Sequence, residues 1–199
     1  MFAAEQRRPD VHSRRTWWDI LVRGRYRPSQ LVFLDETAIS THMIRRHGRS
    51  PKGERVVAFE TLGGWQTNTL LAAIRTSGWS VAMVVKGASD ADAFVTYIAH
   101  FLVPTLREDN VVILDNASRH HDDRIRPFVQ ATGAKLIYRP PYSPDFNPIE
   151  NAFSQLKAGL KRLSERTFEG LTTAVGQLLD AATAEQCAHF FAACGYGRG

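Results

Sequence analysis

Three acidic side chains stand where the sequence changes character. Asp35 ends the apolar run of LVFLDET, Asp115 ends that of VVILDNASRHH, and Glu150 follows the turn-rich PPYSPDFNPIE. Four apolar residues running straight into an acid mark a buried strand whose C-terminal end carries a carboxylate. Glu150 instead opens a helix. Asn147 reads as the N-cap, Pro148 takes the first helical position where a missing N–H costs nothing, and Glu150 falls three residues after the cap. Alone, that stretch serves equally well as a capping box without chemistry. With the two aspartates it makes three hard oxygen anions with no cysteine nearby, a set suited to Mg²⁺ or Mn²⁺ and poorly to structural zinc. The chemistry such a set serves is phosphoryl transfer with two cations about 4 Å apart, which activate the attacking oxygen and stabilise the leaving one. The same cations offset the repulsion among the bare carboxylates.

Such a site needs a scaffold that gathers three distant segments. Strand-like runs are expected at Leu31 to Glu36, Thr67 to Arg75, Trp79 to Lys86, Val111 to Leu114 and Lys135 to Tyr138. The second and third are joined by Thr76-Ser77-Gly78 and read as an antiparallel hairpin. Between them and the Asp115 strand a helix is expected from about Asp90 to Leu106, with Phe94, Tyr97, Ile98, Phe101 and Leu102 as its stripe. A short helix from about Asp122 to Thr132 ends at Gly133. The Glu150 helix buries Ile149, Phe153, Leu156, Leu160 and Leu163, while Glu150, Ser154, Lys157 and Lys161 share a neighbouring face. Helices over about Thr167 to Ala182 and Ala184 to Cys194 close the chain, the last capped by Gly195. This order predicts an α/β fold, a mixed sheet flanked by helices. If the Asp35 and Asp115 strands are parallel neighbours, both aspartates emerge at one sheet edge, where ligands of open α/β sheets gather and where a helix start can add Glu150.

With 199 residues and 44% hydrophobic content the chain can bury one ordinary core, so wholesale disorder is excluded. Residues 1–30 hold seven arginines against three acids, and Val11, Trp17, Trp18 and Leu21 predict a short amphipathic helix ending near Gly24. Thirty residues cannot hold a core of their own, so this segment is a lead-in that packs through its tryptophans on a catalytic domain spanning 31–199. The net charge of +5 favours a polyanionic partner. Arg45, Arg46, Arg49, Lys52 and Arg55 face the single acid Glu54 in a turn-rich loop, which suits a phosphate backbone better than a merely solvated loop. Lys157 and Lys161 could hold DNA near the cleft, or form a charged solvent face. Cys187 and Cys194 lack zinc or disulfide spacing, and no apolar stretch supports export or membrane insertion, so a cytoplasmic protein is expected.

The set LVFLDET, VVILDNASRHH and PPYSPDFNPIEN resembles the catalytic domain of a DDE transposase, in the bacterial insertion-sequence branch of the mariner-like superfamily. Between Asp115 and Glu150 lie 34 residues, a spacing typical of that superfamily, and RRHGRSPKGER is similar to its insertion after the first strand. The likeness runs from about Ala4 to Tyr196, and the three motifs in order are far more specific than any one. It implies an RNase H-like, retroviral-integrase-type five-stranded sheet, with Asp35, Asp115 and Glu150 as catalytic and metal-binding residues. Asp35 would bridge two Mg²⁺ or Mn²⁺ ions, and Asp115 and Glu150 would each hold one. Asn116 and His120 match polar positions after the second aspartate and belong behind the ligands or at the rim of the site, although an exposed His120-His121 pair explains that stretch equally well. Glu36, Asp122, Asp123 and Asp145 rank as solvated carboxylates. Further implications are double-stranded DNA as partner, at transposon ends and target, insertion at TA dinucleotides, a homodimer that brings two ends together, and nucleoid association. Full-length members carry helix-turn-helix domains before the catalytic domain; this chain is expected to lack them, so an upstream DNA-binding chain could act in trans.

The leading expectation is metal-dependent hydrolysis of DNA phosphodiesters followed by joining of the 3′-OH to target DNA. An RNase H-like nuclease without strand transfer keeps the fold and changes the outcome. A catalytically idle DNA-binding or assembly remnant is the alternative from another class, which the intact triad disfavours. A nucleotide-binding fold would need a glycine-rich phosphate loop that is absent.

Overall fold

A computed structural model describes residues 4–44, 49–55, 57 and 64–197, so Arg45 and Arg46 of the basic loop lie outside the described residues. Five strands, β1 (Leu31–Ser40), β2 (Thr67–Arg75), β3 (Gly78–Lys86), β4 (Val111–Leu114) and β5 (Lys135–Tyr138), form one sheet in the order β3-β2-β1-β4-β5. β2 pairs antiparallel with both β1 and β3, whereas β4 runs parallel to β1 and β5 parallel to β4. The sheet is therefore mixed, as its element order predicts.

The apolar runs are continuous because the central strands are covered on both faces. Leu31, Phe33, Leu70, Ala72, Ile74, Val111 and Ile113 point to one side. There they meet α4 (Pro148–Leu163), α5 (Phe168–Asp180) and α6 (Ala184–Ala193) through Ile149, Phe153, Leu156, Leu171, Val175 and Phe191. The alternate residues Val32, Leu34, Leu71, Ala73, Val112 and Leu114 point to the other side, towards α2 (Ala91–Tyr97), its irregular continuation Ile98–Leu102, and α3 (Ile125–Gln130). Gly159 lets α5 approach α4 closely, since a Cβ there would lie 2.7 Å from Leu178 Cδ2.

Several boundaries differ from expectation. β1 extends to Ser40 rather than Glu36, because β2 pairs with it along Phe33 to Ser40 after β4 has ended. Asp35 is thus a mid-strand residue at the point where the neighbour on one side stops. The expected Asp90 to Leu106 helix is regular only over Ala91–Tyr97, with a wider turn over Ile98–Leu102 and a 3₁₀ turn at Val103–Thr105, where Pro104 removes an N–H. α3 begins at Ile125, after a separate 3₁₀ turn at Ser118–His121. On the α4 stripe Leu163 is exposed, and on the α2 side Phe101 is exposed.

The N-terminal helix α1 (Pro9–Trp18) joins the α4 side of the core. Trp18 and Val22 are fully buried there, and Trp18 Nε1 donates to Tyr196 Oη at 3.0 Å. Tyr196 Oη in turn donates to the Phe146 carbonyl at 2.8 Å, just before α4. Of the two tryptophans expected to pack, only Trp18 does so; Trp17 is 55% exposed.

Candidate active site

Strand pairing fixes where the acids emerge. Phe33 pairs with Ile113 and Leu114 with Tyr138, so continuing the parallel register brings Asp35, Asp115 and Arg139 into one row at the ends of β4 and β5. The Arg139 N–H extends the ladder by donating to the Leu114 carbonyl at 2.8 Å. The period of two then sorts the neighbours Asp35 and Glu36 onto opposite faces, Asp35 towards α4 and Glu36 towards α2.

Asp35 is 7% exposed. Its Oδ2 accepts from Asn147 Nδ2 at 2.8 Å and lies 3.9 Å from Arg139 Nη2, while its Oδ1 accepts from the Glu36 N–H at 2.8 Å. Burial pushes its carboxyl above the usual range, Asp115 and Glu150 add repulsion, and the Glu36 N–H and Arg139 oppose the rise. Asp115 behaves oppositely. Burial would raise it, but the His120 ring, the Ala117 N–H at 2.9 Å and the charges of His120 and Arg139 hold its carboxyl down at about 2.

His120 is not at the rim. It is fully buried, stacked on Phe94 at 4.3 Å, with Nδ1 bonded to Asp115 Oδ1 and Nε2 3.8 Å from Glu36 Oε1. Burial would lower its pKa, yet the bonds to Asp115 and Glu36 and their charges raise it to about 9. His120 and His121 are therefore no matched exposed pair. Glu36 is not solvated either, since its side chain is 7% exposed beneath His120. Asn116 does lie at the surface, with Oδ1 2.8 Å from His121 Nε2.

Glu150 is exposed in the first turn of α4. Asn147 occupies the N-cap position but makes no side-chain cap bond; its Nδ2 donates to Asp35 instead. The turn ahead of it is held by the N-terminal segment. Arg15 grips Asp145 through Nη1 and Nη2 at 3.0 and 2.6 Å, also donates from Nη1 to Ser143 Oγ at 2.8 Å, and lies 4.0 Å over the Phe146 ring. Gln6 donates to the carbonyl of Tyr142, a residue with φ of 54°, at 2.8 Å. Asp145, expected to be solvated, is thus a structural ion-pair partner.

Lys157 is half-buried and Lys161 exposed on the Glu150 face; burial lowers the Lys157 pKa, Glu150 opposes this and Lys161 adds to it. Arg49, Lys52 and Arg55 are exposed and form no ion pair among the described residues. The structure does not join them to the carboxylates. Residues that sequence reasoning missed are Arg139 and the true role of Asn147. Arg139 carried a usable signal, since it follows β5 as Asp115 follows β4.

As the side chains stand, no group of three or more acids, histidines or cysteines among the described residues is drawn close enough to hold a metal ion. The donors nevertheless fit a hard dication in chemistry and charge: Asp35 is buried with a raised pKa to which the charges of Asp115 and Glu150 contribute, and Arg139 is the buried cation beside it.

The family model for DDE superfamily endonucleases matches residues 30–172. The chain belongs to the DDE superfamily endonuclease family. No curated protein matches it by sequence. Among solved structures, the Mos1 mariner paired end complex with Mn superposes with a TM-score of 0.74 at 16% identity, covering 95% of this chain and 60% of that one. The catalytic domain of Mos1 mariner transposase gives 0.68 at 16% identity, covering 99% of this chain and 90% of that one. The Mos1 paired-end complex with left transposon end gives 0.72 at 15%, covering 95% and 59%. These likenesses show a common RNase H-like fold. The chain spans about three-fifths of the transposase chains in the paired-end complexes.

Proposed function

We propose that this chain is the catalytic part of a DDE transposase, which hydrolyses phosphodiesters at the ends of a DNA element and joins the freed 3′-OH to target DNA. The observation that carries this reading is the parallel pairing of β1 with β4, which sets Asp35 beside Asp115 on the side where α4 presents Glu150. These three residues would hold two Mg²⁺ or Mn²⁺ ions. When bound, such ions neutralise charge on the transferring phosphoryl group and ready the attacking oxygen.

The chain's own residues prepare that site. Asn147 and the Glu36 N–H fix both oxygens of Asp35, and His120 and the Ala117 N–H fix Oδ1 of Asp115, leaving its Oδ2 without a hydrogen bond among the described residues. Carboxylates already oriented lose little freedom on engaging a ligand. Lys157, Lys161 and the basic loop with Arg45, Arg46, Arg49, Lys52 and Arg55 would hold the DNA backbone, each contact adding to salt dependence. A homodimer would bring two element ends together, with an upstream DNA-binding chain in trans as a further partner. No helix among the described residues is long and apolar enough to cross a membrane, and the proposed work is on DNA in the cytoplasm.

The deciding experiment incubates a labelled duplex and supercoiled plasmid with the protein in Mg²⁺ or Mn²⁺, beside Asp115→Ala and Glu150→Ala. Nicked and joined products that EDTA abolishes and both variants lack are expected. Nicking without joining would point to a plain nuclease, and activity surviving both substitutions would overturn the site.

A further inference from the structure

Beside the carboxylates, between α1 and the end of β5, lies a cavity of about 170 Å³ lined by Arg14, Trp17, Trp18, Asn116, Tyr138 and Arg139, with Pro140 at its edge. Asn116 adjoins Asp115 in sequence, and Arg139 lies 3.9 Å from Asp35, so the cavity neighbours the row of strand-end acids. Its lining combines the exposed Arg14 with aromatic side chains, and Arg139 lies at its inner end with Nη1 donating to the Ser143 carbonyl. Trp17 is 55% exposed and stacks on no other ring among the described residues, although large aromatics normally bury themselves. Arg14 forms no ion pair or hydrogen bond among the described residues. Tyr138 is fixed by its Oη donating to the His120 carbonyl at 2.8 Å and by stacking on His121 at 4.2 Å. Asn116 has Oδ1 turned to His121, so its amide N–H₂ remains as a donor.

Flat apolar faces next to guanidinium donors match one class of ligand, a nucleotide that has left the duplex stack. Every base has a π-face that stacks on an aromatic side chain, and its phosphate suits the planar fork of arginine. A duplex cannot present a base this way without unpairing it. We propose that this cavity takes one unstacked nucleotide of the DNA strand whose phosphate enters the carboxylate site, with the base against Trp17 and Tyr138 and its phosphate held by Arg14. This rests on the DNA-processing reading above and adds that α1 supplies part of the substrate site.

The test measures binding by fluorescence anisotropy in EDTA, with the full chain, a labelled duplex carrying a short unpaired 3′ end, and the same duplex fully paired. The wild type is expected to prefer the unpaired end. Trp17→Ala should weaken binding of that probe roughly 5- to 150-fold while leaving the paired duplex nearly unchanged, and Trp17→Phe should restore most of the loss. Equal affinity of the wild type for both probes, or an equal loss on both in Trp17→Ala, would overturn the pocket while sparing the DNA reading. A wild type that binds neither probe would overturn both.

Discussion

The amide of Asn147 donates to the carboxylate of Asp35 across 112 residues of sequence, at 2.8 Å and out of contact with water. It ties the head of α4 to the middle of β1, so the residue that starts the Glu150 helix also orients the most buried acid of the site.

Removing that donor should therefore cost both stability and activity. Asn147→Ala leaves a buried carboxylate oxygen short of a partner, a loss of about 1–3 kcal/mol. Urea denaturation reads the stability and the nicking assay the activity. Unchanged values for both would mean that the bond carries no weight.

Glu150 should separate the two quantities. Because it is exposed in the first turn of α4, Glu150→Gln should change stability by no more than about 0.5 kcal/mol. Cleavage and joining should nevertheless be lost, together with calorimetrically measured Mn²⁺ binding. Retained Mn²⁺ affinity would remove Glu150 from the ligand set.

Arg139 is 8% exposed and faces Asp35 while donating to the Ser143 carbonyl at 3.0 Å. Arg139→Met should destabilise the metal-free protein by roughly 3 kcal/mol, since it strands a buried carboxylate without its counter-charge. Added Mn²⁺ should recover part of this in thermal denaturation, because a ligand that binds only the folded state raises its stability. A variant as stable as the wild type in EDTA would contradict the counter-ion role.

The two adjacent tryptophans should behave unlike each other. Trp18→Ala opens a cavity among Phe146, Tyr196 and the sheet and should cost about 3–5 kcal/mol. Trp17→Ala should stay within about 0.5 kcal/mol. Thermal melts of both variants check this, and similar losses would mean that Trp17 and Trp18 are equally packed.

The sequence alone determined the strands around Asp35 and Asp115, the hairpin, the start of α4 and the acids themselves, because each is announced locally. A run of apolar residues ending in an acid, a Thr-Ser-Gly turn or a proline at a helix start needs no distant partner to be read. The length of β1 was not legible, since its second half exists through pairing with β2. The fate of the polar side chains was a tertiary matter too. Asn147 reads as a cap until Asp35 arrives from 112 residues away, and His120 reads equally as a surface residue or as one behind the ligands until Asp115, Phe94 and Glu36 enclose it. Trp17 and Trp18 are the same residue type in one helix, and only the position of Tyr196 and Phe146 decided which is buried. Local patterns encode backbone shape, whereas burial and partner choice belong to groups that meet only once the chain has folded.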